Sequence, residues 1–349
     1  MTYSCYHMKH QIMIDVKQKN KARYTPCCNF KKSLDIDKFT EQVTHYNSLL
    51  ENGIRIPECS ICWETEDLGL SSVRTGIGEN WDKNLKPSIL SMDIRIHNKC
   101  NLACTMCYSG ASNLWGKLEN KDTYYKASDA ELSTIKEKVK NVTRISFQGG
   151  EPFYGTEYDD FLMSLHNLEN ITVDVFTNAI TTKREVIQRW RNKLKRLELN
   201  VSVDGYGEVY DSIRWPATWI KFESKSKMLY DILGKDMSYF WTTQAENAIS
   251  LFDFIEWRNK NTPLCKIHIG NIVGSSELGV LSMTEQEKNK FLKKYNEYKN
   301  SPDKNITEYN QISAMHRMIL NSNTSPELVN TRTERLEIIY ELRKNYKEK

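Results

Sequence analysis

From about residue 87 onward the chain alternates between two hydrophobic periods. Short runs over 89–97, 144–148, 171–178, 197–204, 239–244 and 267–273 carry the β-branched and aromatic residues of strands. Between them, 112–121, 128–140, 157–168, 183–194 and 246–259 read as helices. The second of these opens on Ser128-Asp129-Ala130-Glu131, a capping-box pattern. Six strands separated by helices predict βα units and a parallel sheet. The strands also alternate in polarity. Leu197, Leu199, Val201 and Val203 share one face, and Glu198, Asn200, Ser202 and Asp204 share the other. Parallel strands buried on both faces read instead as continuous apolar runs. An apolar face under helices and a polar face toward a wet interior predict a sheet curled into a partial barrel, with a half-exposed antiparallel sheet as the alternative.

Before Leu85-Lys86-Pro87 the chain is rich in cysteine and reads as irregular, with turn signals at Thr25-Pro26-Cys27-Cys28 and Glu51-Asn52-Gly53. After about 284 it is rich in lysine and glutamate. Helices are expected there at 284–299, 306–321 and 326–346, with a solvated face or the role of a lid. The expected domains are therefore 1–86, 87–283 and 284–349. A net charge of +4 over 349 residues is small and argues against a strongly basic nucleic-acid binder. No apolar run approaches the roughly 20 residues that span a bilayer, and no secretory signal is evident. A cytoplasmic protein is the expectation. Of nine cysteines, eight fall in the first third of the chain. An odd count in a large chain of this kind favours metal binding over a disulfide framework.

Cys100, Cys104 and Cys107 stand in a C-x3-C-x2-C spacing directly after a strand. Three thiolates can hold three irons of a cubane cluster and leave the fourth iron open to another ligand. Zinc is the competing use of such a spacing, and His97 could supply its fourth ligand. Gly149-Gly150-Glu151-Pro152 follows the next strand, so both motifs sit at strand C-termini, where barrel active sites gather. Together they resemble the radical S-adenosylmethionine (radical SAM) superfamily. That resemblance implies a partial (β/α)6 barrel of the TIM type. It also implies a [4Fe–4S] cluster on Cys100, Cys104 and Cys107, with S-adenosylmethionine bound at its open iron. Reductive cleavage of the cofactor would yield a 5′-deoxyadenosyl radical that abstracts hydrogen from substrate. A reductant such as flavodoxin or ferredoxin is implied as a partner. Gly149 and Gly150 let backbone approach the cofactor's amino group, and Glu151 can accept from that amine. Ser202 and Asp204 match positions that contact the ribose or methionyl part. Arg214 matches an arginine that pairs with the carboxylate, and Asn178 is a strand-end cofactor contact. The sequence departs from the family in two places. Met106 stands where an aromatic residue is usual before the last cysteine, with Tyr108 just after it. Strand three ends in Thr177-Asn178-Ala179 rather than Thr-Asn-Gly.

Cys5, Cys27, Cys28, Cys59 and Cys62 form a second group, with a C-x2-C knuckle at 59–62. With Pro26-Cys27-Cys28 and the stretch from Glu66 to Arg74, it resembles the auxiliary modules called twitch or SPASM domains. In better-known members that module follows the barrel rather than preceding it. The resemblance implies a second [4Fe–4S] cluster on Cys5, Cys59, Cys62 and one of Cys27 or Cys28, with a zinc knuckle as the alternative. Cys265, alone, is expected to be a buried small residue, and Trp215, Trp219, Trp241 and Trp257 to be core. The module implies a peptide or protein substrate. The alternatives are a nucleotide or sugar substrate, an iron–sulfur electron carrier or redox sensor, and a zinc-stabilised interaction protein.

Overall fold

Eight strands form a mostly parallel sheet: β1 (Gln11–Val16), β2 (Ala22–Thr25), β3 (Ser91–Arg95), β4 (Arg144–Phe147), β5 (Thr172–Thr177), β6 (Arg196–Ser202), β7 (Met237–Thr243) and β8 (Lys266–Asn271). Their order is β2-β1-β3-β4-β5-β6-β7-β8. The computed structural model describes residues 3–16, 22–67, 72–76, 88–138, 140–271, 277–302 and 304–347. By contact the chain divides into two compact units. One comprises Met1–Asn98, Tyr125–Val175 and Lys193–Arg196; the other comprises Lys99–Tyr124, Phe176–Asn192 and Leu197–Lys349. The expected break at 85–87 and the end of the sixth expected strand at 272–273 lie outside the described residues. No helix among the described residues is long and apolar enough to cross a membrane.

In the first unit the parallel registers set apolar residues in rows. Ile12 faces Met92 and Ile14 faces Ile94. Met92 and Ile94 face Ile145 and Phe147, which in turn face Val173 and Val175. All eight are at most 1% exposed, so this face is solid core. The opposite face carries Asp15, Asp93, Ser146 and Asp174, the alternation read from the sequence. The N-terminal stretch, expected to be irregular, adds two strands to the sheet. β1 pairs parallel with β3, and β2 pairs antiparallel with β1. Gln11-Ile-Met-Ile-Asp-Val is apolar enough for an interior strand once its backbone finds a partner in β3. The helix Phe39–Glu51 covers this region with Phe39, Val43, Tyr46 and Leu50, spaced three or four apart and buried.

In the second unit β6, β7 and β8 pair in parallel. Leu197, Leu199 and Val201 are buried while the residues between them are only half-buried. The helix Trp219–Leu233 has no clear periodicity in the sequence because Glu223-Ser224-Lys225-Ser226-Lys227 dilutes it. It buries Phe222, Ser226, Leu229, Ile232 and Leu233. Trp241 and Trp257 are buried, and Trp219 packs among Tyr206, Tyr210, Phe254 and Trp257.

The C-terminal helices Glu285–Lys299, Ile306–Leu320 and Pro326–Lys347 form close to the expected boundaries, but they are not a solvated tail. Arg258 and Glu308 make a buried ion pair at 2.6 Å that ties the helix Ser250–Asn261 to the second of them. Glu287 caps the first through Thr284 and accepts from Arg332 of the third at 2.9 Å. Pairing offsets the cost of burying these charges, so the contacts fix the helices to the unit.

Candidate active site

The loop carrying Cys100, Cys104 and Cys107 is held along its whole length by residues of its own unit. Ala103 N–H donates to Trp215 O (2.8 Å) and Thr105 N–H to Ile213 O (2.9 Å). Thr105 Oγ1 donates to Gln244 Oε1 (3.1 Å), and Trp115 Nε1 donates to Cys104 O (2.9 Å). Cys100 N–H finds Asn113 Oδ1 (2.9 Å), and Leu102 N–H points at Cys100 Sγ (3.4 Å). Cys104 is buried, while Cys100 and Cys107 are partly open. Burial raises the Cys104 thiol and pushes Cys107 up to about 12, where Cys104 adds to the rise. The Arg214 and Arg343 guanidinium groups work against the rise at Cys104.

Arg214 and Asp204, expected separately on the cofactor, are joined in a buried ion pair. Arg214 Nη2 and Nε both donate to Asp204 Oδ2, at 2.7 and 3.0 Å. Burial works against the Arg214 charge, but the Asp204 carboxylate together with Cys104 and Tyr210 outweighs it and raises its pKa. Asp204 has left-handed backbone (φ 47°), and its Oδ1 accepts from Thr242 N–H at 2.6 Å. Asn247 Nδ2 caps its carbonyl at 3.2 Å. Asn178 is buried and donates to Asn101 Oδ1 at 2.9 Å, inside the cysteine loop. Ser202 and Met106 are half-buried, and Tyr108 is exposed. Ala179, in place of the common glycine, adopts φ 66°, held by its N–H on Thr177 Oγ1 at 2.9 Å. Gln244, Asn247, Trp115 and Arg343 carried no signal in the sequence.

In the first unit the Gly149-Gly150-Glu151 turn follows β4. Both glycines have positive φ, 83° and 52°. A Cβ on Gly149 would stand 3.0 Å from Arg95 Cβ, so a side chain is excluded twice over. Glu151 is 1% exposed, and its Oε1 accepts from Phe153 N–H at 3.1 Å. Gln148 donates to Asp93 Oδ2 at 2.9 Å. Burial pushes the Asp93 carboxyl up to about 7; Arg95 opposes the rise, and Asp174 and Asp15 add to it. His97 is buried edge-on against Tyr158, with Nε2 3.7 Å from Glu157.

The second cysteine group lies within this same unit. Cys5, Cys27, Cys59 and Cys62 are buried and Cys28 is exposed. Burial pushes Cys5 up to about 11 and Cys59 up to about 12, and it raises Cys27. Neighbouring thiols add to all three: Cys62 acts on Cys5, Cys5 and Cys62 act on Cys59, and Cys5, Cys28 and Cys59 act on Cys27. The four buried thiols are thus near one another. Cys28 lines a small cavity of about 90 Å³ with Met13, Asp15, Arg23, Thr25 and Arg95. Glu66 and Arg74 form an ion pair, and Arg74 lies over the Tyr3 and Trp63 rings and donates to Ser4 O at 3.1 Å. Leu68 to Ser71 lie outside the described residues.

Both cysteine groups offer thiols alone. Among the described residues no three His, Cys, Asp or Glu side chains form a group that could hold a metal ion. The soft donor set, the backbone N–H aimed at Cys100 Sγ and the cations beside Cys104 suit an iron–sulfur cluster.

Comparison with known proteins decides the family of this region. Residues 94–231 carry a radical SAM domain. That span includes the cysteine loop, the glycine turn, Asn178, Asp204 and Arg214. An uncharacterized protein of Methanocaldococcus jannaschii is 28% identical over 127 residues, 35% of this chain and 40% of its own length. The chain therefore spans about two-fifths of that curated relative. Native anSMEcpe with bound AdoMet and the Kp18Cys peptide has TM-score 0.43 at 19% identity, over 60% of this chain and 59% of that one. SuiB of Streptococcus suis has TM-score 0.44 at 16% identity, over 83% of this chain and 69% of that one. The fold itself is α/β with a mostly parallel sheet.

Proposed function

We propose that this enzyme cleaves S-adenosylmethionine reductively and uses the resulting radical to abstract hydrogen from a peptide or protein side chain. The observation that carries this reading is the thiol loop 100–107, pinned by backbone pairing to 213–215, inside a stretch that matches the radical SAM family. A [4Fe–4S] cluster bound by Cys100, Cys104 and Cys107 would supply one electron to the sulfonium and split its C–S bond. The chain's own residues bind and orient. In the first unit Glu151 is a buried carboxylate of the kind that accepts from an amine, and Gly149 and Gly150 leave bare backbone beside it. Asn178 braces the loop through Asn101. Arg214, held by Asp204, stands beside Cys104 as a fixed, neutralised ion pair rather than a mobile hand for the carboxylate. Met106 and Tyr108 supply surface for the adenine.

Cys5, Cys27, Cys59 and Cys62 are the candidate ligands of a second [4Fe–4S] cluster in the first unit. Cys27 is preferred over Cys28 because Cys27 shares the buried cluster of thiols. A filled ligand set fits electron transfer or structural support. The peptide substrate follows from the resemblance of this set to twitch and SPASM modules, and a reductant of the flavodoxin or ferredoxin type completes the reaction.

The test is anaerobic reconstitution with iron and sulfide, an iron count, and then S-adenosylmethionine with dithionite. About eight irons with 5′-deoxyadenosine formed is the expected result. About four irons with product would remove the second cluster. Iron without product would remove the catalytic reading in favour of an electron carrier.

A further inference from the structure

The C-terminal helix Pro326–Lys347 hydrogen-bonds the cysteine loop through one side chain. Arg343 is 4% exposed. Its Nη2 donates to Ala103 O (2.7 Å), and its Nη1 donates to Ser212 O (2.7 Å). Ala103 precedes Cys104, and Ser212 precedes the Ile213 carbonyl that receives Thr105 N–H. One planar guanidinium thus bridges the two chain segments whose pairing shapes the loop. Its carbon stands 5.6 Å from the centre of the Trp215 ring. Around it Ala103, Trp115, Leu118 and Ile339 form a buried apolar cluster, with Cys107, Trp215 and Leu342 packed on it. The environment is dry, so a charge acts there over a longer distance than in water.

Two cations influence Cys104, and they differ. Arg214 is neutralised by Asp204 at 2.7 Å. Among the described residues Arg343 has no carboxylate within ion-pair distance; it spends two donors on carbonyls, and its Nε–H is buried with no partner. Glu246 is the carboxyl that feels its field, together with that of Arg332. A buried cation without a counter-ion is costly. A neighbouring centre that gains negative charge would offset that cost.

We propose that Arg343 is a positioning residue for the cluster on Cys100, Cys104 and Cys107: it clamps the loop and its uncompensated charge raises the cluster's reduction potential, favouring the reduced form that feeds the radical step. The inference rests on the reading of this loop as a cluster site. Charge and hydrogen bonding near the sulfurs are the protein's means of tuning such a centre.

The experiment is an anaerobic redox titration, followed by electron paramagnetic resonance, of the reconstituted protein and its variants. The signal that Cys104→Ala abolishes belongs to this cluster. Arg343→Gln should leave about tenfold less of it reduced at a fixed potential, and Arg343→Lys should restore most of the loss. Glu246→Gln, which removes neither carbonyl that Arg343 donates to, should move the potential the other way at pH 8. An Arg343→Gln protein that titrates like the parent overturns the proposal. If Arg343→Gln loads no iron, Glu246→Gln decides: a positive shift supports the proposal and the parent's potential overturns it. A parent chain with no signal dependent on Cys104 would remove the cluster itself, an outcome distinct from a cluster whose potential ignores Arg343.

Discussion

The cysteine loop of the second unit and the thiol set of the first present similar ligands by opposite routes. In the loop, three cysteines lie within eight residues, and the fold's work is to hold that short segment still. In the first unit, Cys5, Cys27 and the Cys59–Cys62 knuckle come from three separate segments, and the fold's work is to bring them together. Their arginines differ in the same way. Arg74 is matched by Glu66 and stacked on aromatic rings, so its charge is spent locally. Near Cys104 one arginine is matched and one is not. A local motif with unbalanced charge nearby suits a centre that must change oxidation state. A dispersed, balanced set suits one that holds its surroundings together or passes electrons through.

The sharpest break between the two sites is by deletion. Cys104→Ala should abolish 5′-deoxyadenosine formation while keeping the iron of the first unit. Cys59→Ala should lose about half the iron and still cleave the cofactor. Iron falling to zero in either variant would show that the sets are one. Next come the ion pairs. Asp204→Asn leaves Arg214 buried without its counter-ion and should cost about 3–5 kcal/mol in denaturant unfolding. Glu66→Gln leaves Arg74 its Ser4 carbonyl and its aromatic faces and should cost only about 1–2 kcal/mol. Equal costs would erase the contrast.

A smaller effect separates the units by pH. Asp93 holds its proton to about pH 7 in the folded state, whereas in the unfolded chain it ionises near the ordinary carboxyl value of about 4. A group whose folded pKa is raised contributes stability at low pH and loses it as pH climbs through that window. Asp93→Asn should therefore flatten the fall in stability between pH 5 and pH 8, by about 2 kcal/mol, in urea unfolding at each pH. A slope equal to the parent's would place the titration elsewhere. The smallest effect is at Ala179, whose φ of 66° favours glycine. Ala179→Gly should stabilise by up to about 1 kcal/mol, read as a rise in melting temperature.

The six later strands, the Ser128–Glu131 capping box and both strand-end motifs were legible because each is encoded within a few residues. β1 was not, since a short apolar run becomes a strand only when β3 offers its edge. The helix Trp219–Leu233 was hidden by its serine- and lysine-rich middle. The Arg214–Asp204 pair was legible as two residues but not as one pair. Gln244 and Arg343 carried no signal, because they meet the loop from 139 and 240 residues away. A side chain whose partner is a backbone carbonyl leaves no mark on the partner's identity.

The Arg343 contact also sets a clock. Chains emerge from the ribosome amino end first, at about 5–20 residues per second. Ala103 precedes Arg343 by 240 residues, so the three thiols are made roughly 12 to 48 seconds before the side chain that clamps their loop. During synthesis the loop is open on that flank. The clamp closes only once the helix Pro326–Lys347 has been made.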